Sequence, residues 1–115
     1  MTHKFNCDDK APSWRGGAFP KGVDMEDNLY RFPSNKRAEA ETIGAQLRKL
    51  SEETAEANAA FNDGESPARI IEETWDVIQA AEGVLRKFGP LAVMKGFAMV
   101  VLKGCARGDY RNGKA

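Results

Sequence analysis

Lys49-Leu-Ser-Glu-Glu-Thr-Ala-Glu56 and, across a short break, Ile70-Ile-Glu-Glu-Thr-Trp-Asp76 decide how this chain reads. Each stretch carries two acids three residues apart: Glu53 with Glu56, and Glu73 with Asp76. On a helix that spacing turns both side chains to one side. The break between them is Asn62-Asp-Gly-Glu65, where Gly64 suits a positive φ, followed by Ser66 as an N-cap and Pro67 in the first turn of a new helix. If the two helices fold back on one another, four carboxylates converge. Like charges at one spot repel strongly unless a cation sits among them.

Working outward, Ser34 reads as the N-cap of a long helix reaching about Phe61. Ile43, Leu47, Leu50, Thr54, Ala57 and Phe61 recur at spacings of four and three, a stripe expected to face a core. The second helix is predicted from Pro67 to Lys87 or Phe88. It carries one apolar row through Ile71, Trp75, Ile78 and Leu85 and another through Ile70, Val77, Ala80 and Val84, an arc wide enough to be buried on more than one side. Gly89-Pro90 ends it, and a third helix follows from Leu91 to about Lys103 with Met94, Phe97, Ala98, Val101 and Leu102 on its apolar face.

The organisation is therefore an irregular arm over residues 1–33, a helical domain over 34–106 and a turn-rich tail over 107–115. The fold class is all-α: a long antiparallel helix pair plus a third helix. Three helices with so wide an apolar arc leave exposed apolar surface in a monomer, so the bundle is expected to be completed in a homodimer or homotetramer.

Composition narrows the function. With 115 residues the chain fits one domain. Lys plus Arg total 17 and Asp plus Glu total 17, and basic residues are not interleaved with aromatics on one face, so nucleic-acid binding is not expected. The acids are dense from Glu39 to Asp76, and the end from Arg86 to Lys114 is basic. The longest apolar stretch, Leu91 to Leu102, contains Lys95 and is too short for a membrane span. The N-terminus lacks the apolar core of a signal peptide. Cys7 and Cys105 form no Cys-x-x-Cys pair, and His3 is the sole histidine, so neither a structural zinc site nor a histidine-based nucleophile is supported. The expected home is the cytoplasm, with reduced thiols, while the two cysteines leave a disulfide open. No phosphate-binding Gly-x-x-x-x-Gly-Lys-Ser/Thr loop is present.

The four acids border apolar positions rather than opposing them. Glu53 lies between Leu50 and Ala57, and Glu73 between Ile70 and Val77. An unpaired carboxylate there is costly or takes up a proton. Oxygen ligands suit magnesium, which keeps several waters and binds substrate phosphates as well. The competing reading is a solvated helix face, since Glu-x-x-Glu is common where 30% of residues are charged. Glu52 and Glu72, one residue before Glu53 and Glu73, either support the ligands or, as the stronger reading, are solvated neighbours.

The ordered set Glu53, Glu56, Glu73, Asp76 resembles the motif of the all-α nucleoside triphosphate pyrophosphohydrolases, which include MazG, phosphoribosyl-ATP pyrophosphohydrolase and the dimeric dUTPases. Gln46-Leu-Arg-Lys-Leu-Ser-Glu-Glu-Thr-Ala-Glu56, Glu72-Glu-Thr-Trp-Asp-Val-Ile-Gln-Ala-Ala-Glu82 and the ending Lys103-Gly-Cys-Ala-Arg-Gly-Asp-Tyr110 are similar to short MazG-like proteins of phages and prophages. The resemblance spans about Asn35 to Tyr110, and residues 1–33 have no counterpart in it. It implies magnesium-dependent cleavage between the α and β phosphates, with Glu53, Glu56, Glu73 and Asp76 as catalytic metal ligands and helices from more than one subunit completing the bundle. It leaves two rivals: a catalytically inactive helical interaction module on the same scaffold, and a related enzyme for another nucleotide such as dUTP.

Further candidates flank the acids. Lys49, one turn before Glu53, either reaches a substrate phosphate or pairs with Glu53. Lys103 and Arg107 either close over phosphates or sit at a solvated helix end. Gln46 is a candidate nucleotide contact. Tyr110 and Trp75 are candidate base-stacking rings, with packing the stronger reading for Trp75.

Overall fold

The computed structural model describes residues 29–111. Residues 1–28 of the expected arm, including His3 and Cys7, and residues 112–115 of the tail lie outside the described residues. Those described are all-helical, with no strand, in the order α1 (Lys36–Ala40), α2 (Ile43–Asn62), α3 (Pro67–Leu85) and α4 (Pro90–Arg107). They fall into two compact units, Tyr30–Gly89 and the remainder.

The single helix expected from Ser34 to Phe61 is two. Asn35 rather than Ser34 caps α1, its side chain accepting from the Ala38 amide at 3.1 Å. The Ser34 hydroxyl donates to Glu39 instead. Glu41 is extended (φ −90°, ψ 159°), and Thr42 opens α2 by accepting from the Ala45 amide at 3.1 Å. Thr42 was overlooked because it sits inside a run of good helix formers. A capping hydroxyl competes with that propensity by satisfying an otherwise unpaired N–H.

The turn from α2 to α3 is built as its sequence implies. Gly64 has φ +73°, and Glu65 N–H donates to the Ala60 carbonyl at 3.0 Å, a glycine-terminated helix end. Ser66 caps α3 through the Arg69 amide, with Pro67 in the first turn. The C-terminal end of α3 tightens through Lys87 N–H to Val84 and Phe88 N–H to Leu85, so the helix stops at Leu85.

The α2 face turned toward α3 differs from the one its apolar stripe implies. Gln46, Glu53 and Ala60, seven residues apart, are the buried residues of α2. Leu47 and Phe61 of the stripe are 50% and 69% exposed. On α3 only Glu73 is buried, and Ile71 is 58% exposed, so the wide arc is not buried on several sides within the described chain. The reason is close approach of the helices. Gln46 lies against Gly83, and Glu53 meets Glu73 and Asp76, so small and polar residues form the centre of the seam, with Leu50, Val77, Ile78 and Val84 only half-buried and Leu47, Phe61 and Ile71 exposed.

In the other unit, α4 runs four residues beyond its expected end and buries Val93, Met94, Ala98, Val101 and Gly104. Phe97, expected on that face, is 48% exposed. Gly108 (φ +73°) terminates the helix, and the Tyr110 ring then folds onto Gly104, leaving no room for a Cβ there. Cys105 is disulfide-bonded, which corrects the expectation of reduced thiols. Among the described residues no helix is long and apolar enough to cross a membrane.

Candidate metal centre

The seam of α2 and α3 puts charge where a small helical unit usually puts leucine. Carboxylate oxygens of Glu53, Glu73 and Asp76 lie within 4.8 Å of one another. Glu53 and Glu73 are buried at 8% and 4% exposure, and Asp76 is the most open of the three. Glu56 stands outside this group, exposed on the next turn of α2, although its charge is felt at Glu73. Three of the four acids singled out in the sequence are thus brought together.

Two cations partly compensate them. Lys49 Nζ lies 2.8 Å from Glu53 Oε2, and Arg69 Nη2 lies 2.6 Å from Glu73 Oε2. Arg69 also reaches Glu72 at 3.2 Å and Glu65 at 3.4 Å. Lys49 therefore takes the ion-pair role, its ammonium favoured by the hydrogen bond to Glu53 and by that residue's charge. Arg69 had no role in the sequence reading. Its place four residues before Glu73 was the available signal.

One atom is left over. Glu73 Oε1 is buried with no hydrogen-bond partner. Burial pushes the Glu73 carboxyl above its ordinary range; the Arg69 guanidinium pulls it back, and Glu56, Asp76 and Glu53 push it up again. Each of Glu53 and Glu73 thus keeps one oxygen outside its ion pair, in a group of carboxylates that converges with Asp76. An all-oxygen set with one orphaned buried atom fits a hard divalent cation.

A cleft of ≈ 670 Å³ opens beside Glu53 and Asp76. That is within the range of small-ligand sites. Its walls carry Lys36, Arg37, Lys49, Arg86 and Lys87 together with Glu39, Glu41 and Glu82, so the acidic corner opens into a trough of mixed charge. Gln46 lines it too, but its amide is engaged: Nε2 donates to the Ala38 carbonyl. Trp75 lies outside the lining, packed edge-on by Phe32 (centroids 5.9 Å apart) with Arg31 above it at 5.1 Å.

In the other unit Lys103 is exposed, Arg107 pairs with Asp109 at 3.0 Å, and Tyr110 is taken up by packing on Gly104 rather than presented as a free stacking ring. Glu82 and Arg86, missed in the sequence, hold the chain that walls the cleft.

No family model, curated protein or solved structure matches this chain, so its functional reading rests on the acidic seam and the trough beside it.

Proposed function

We propose that the chain is a magnesium-dependent nucleotide pyrophosphohydrolase, converting a nucleoside triphosphate to monophosphate and pyrophosphate. The observation that carries this reading is the orphaned buried oxygen of Glu73, on a carboxylate that converges with those of Glu53 and Asp76, the two acids that line the cleft. The opposed register, Gln46 with Gly83 and Glu53 with Asp76, fits an antiparallel helix pair. Such a pair supplies inward-facing carboxylates from two helices.

Glu53, Glu73 and Asp76 would hold magnesium, and Glu56 completes the set when its exposed side chain turns inward. The ion supplies charge neutralisation at the phosphates and a more acidic bound water. Lys49, beside Glu53 at the acidic end of the cleft, then orients the remaining phosphates. Glu53, with one oxygen outside its lysine pair, is placed to accept a proton from an attacking water. A second copy covering the exposed Leu47, Phe61 and Ile71 surface would bury the apolar stripe that the seam leaves outside, which supports a homo-oligomer.

The test is a nucleoside triphosphate panel, dUTP included, with magnesium and separate detection of pyrophosphate and phosphate. Release of pyrophosphate that is lost in Glu53→Gln is expected. Free phosphate as the first product contradicts α,β cleavage. One observation favours the inactive-module rival: Lys49 and Arg69 already neutralise part of the acidic charge. Magnesium that produces no thermal shift would decide for that rival.

A further inference from the structure

The chain before α2 is held to the helix pair through its backbone. Arg31 and Phe32 N–H groups donate to the two oxygens of Glu82, at 2.9 and 3.0 Å. The Phe32 carbonyl accepts from Arg86 Nη2 at 2.7 Å, and the Arg86 guanidinium lies 4.1 Å over the Tyr30 ring. Further on, the Ala38 carbonyl accepts from Gln46 and the Glu39 carbonyl from Lys87 Nζ at 2.7 Å. Five main-chain groups of residues 31–39 are therefore satisfied by four side chains of α2 and the C-terminal end of α3. Gly83 is what lets Gln46 reach across, because a Cβ there would meet its Oε1.

This arrangement leaves strap side chains to do something else. Phe32, Pro33, Lys36 and Arg37 line the cleft. Glu82 and Arg86 lie six and ten residues beyond Asp76 on α3, so the strap is fixed ~9–15 Å along the helix from the acids. That places it beyond the phosphates of a substrate whose metal-bound end lies at Glu53 and Asp76.

We propose that Glu82 is a positioning residue: its carboxylate, seconded by Arg86, fixes the strap over residues 31–39 as the wall of the cleft that faces the nucleoside half of a nucleotide. The substrate consequence rests on the hydrolase reading above; the clasp itself does not. A carboxylate suits the task because it accepts from two N–H groups at once, and such charge-assisted bonds are the strong ones. A glutamine in its place turns an N–H₂ toward one of those donors. With the strap released, substrate must order it on binding, which weakens affinity rather than chemistry.

The experiment uses the full chain and its Glu82→Gln and Arg86→Gln variants. Amide hydrogen exchange is measured at Arg31 and Phe32, and the Kd of a non-hydrolysable nucleoside triphosphate is measured with magnesium, alongside KM and kcat. In Glu82→Gln, exchange at both amides is expected to rise about tenfold or more, with amides in the middle of α2 and α3 unchanged. Kd and KM are expected to rise roughly tenfold, with a smaller loss in kcat. Arg86→Gln is expected to act in the same direction, and decides the matter if Glu82→Gln fails to fold. Unchanged exchange at both amides overturns the clasp. Raised exchange with unaltered Kd, or a wild type that binds no nucleotide, overturns the positioning role. Wild-type binding without pyrophosphate release overturns the hydrolase reading and leaves Kd to judge the clasp.

Discussion

Arg69 closes on one oxygen of Glu73 at 2.6 Å and leaves the other oxygen buried without a partner. The guanidinium comes from the exposed side of α3, four residues earlier on the same helix, and reaches only the near edge of the carboxylate. The carboxylate converges with Glu53 and Asp76, and the charges of Glu56, Asp76 and Glu53 raise the proton affinity of Glu73 rather than lower it. The ion pair leaves half of the buried group without a partner.

Glu73→Gln should therefore stabilise the metal-free protein. It removes a buried charge that is only half compensated, and a rise of a few degrees in Tm is expected without magnesium. The same variant should lose the magnesium-dependent gain. Calorimetric scans with chelator and with excess magnesium check both. A lower Tm in chelator would show that the Arg69 pair outweighs the repulsion.

The pH dependence follows in sign. The Glu73 carboxyl is raised in the folded chain from an ordinary value of 4.5. Between that value and its raised native value the folded chain holds a proton the unfolded chain has released, so this group's contribution to stability falls as pH rises through the interval and is flat above it. Wild type should lose Tm relative to Glu73→Gln across that window in chelator. Magnesium should reverse the trend, since it displaces the proton. Lys49 has the same sign in a higher window: its ammonium, raised by the hydrogen bond to Glu53 and by that residue's charge, contributes stability that is present below 10.5 and lost as pH rises from there through its raised native value.

Magnesium at a hundred times its Kd should stabilise wild type by about 2.7 kcal/mol. Glu53→Gln and Asp76→Asn should each lose most of that gain, together with pyrophosphate release. Glu56→Gln should lose less binding, because Glu56 is exposed and outside the converged three. Equal losses for all four acids would mean that Glu56 swings fully into the set.

Gly83→Ala tests the close approach of α2 and α3. A glycine-to-alanine change inside a helix ordinarily gains about 1 kcal/mol. Here the new Cβ meets Gln46 Oε1 and displaces the amide from the Ala38 carbonyl. The gain should vanish in the single variant and return in Gly83→Ala with Gln46→Ala. Denaturant melts of the four proteins form the cycle, and additive energies would show that Gln46 moves aside freely.

Leu47→Glu tests the apolar stripe. Leu47 is half exposed in the single chain, so the substitution should cost the isolated unit little. If a second copy covers the stripe, sedimentation should show a shift from oligomer to monomer. An unchanged sedimentation coefficient removes this surface from the contact.

The sequence by itself determined that these segments are helical, where α2 gives way to α3 and where α4 begins. Gly64, Ser66, Pro67 and the Gly89-Pro90 stop act within a few bonds of themselves, so local chemistry is enough to read them. It also determined which acids share a side of each helix, because Glu53 with Glu56 and Glu73 with Asp76 follow from the helical repeat alone. Tertiary structure decided which face of α2 meets α3. The apolar stripe through Leu47 and Phe61 pointed one way, but close approach at Gly83 turned Gln46, Glu53 and Ala60 inward. It also decided that three acids converge while Glu56 stays out, and that Glu82 and Arg86 hold a strap some fifty residues away. Those outcomes depend on the rotation and separation of packed helices and on main-chain groups whose partners are distant in sequence. Periodicity within one segment carries no record of either.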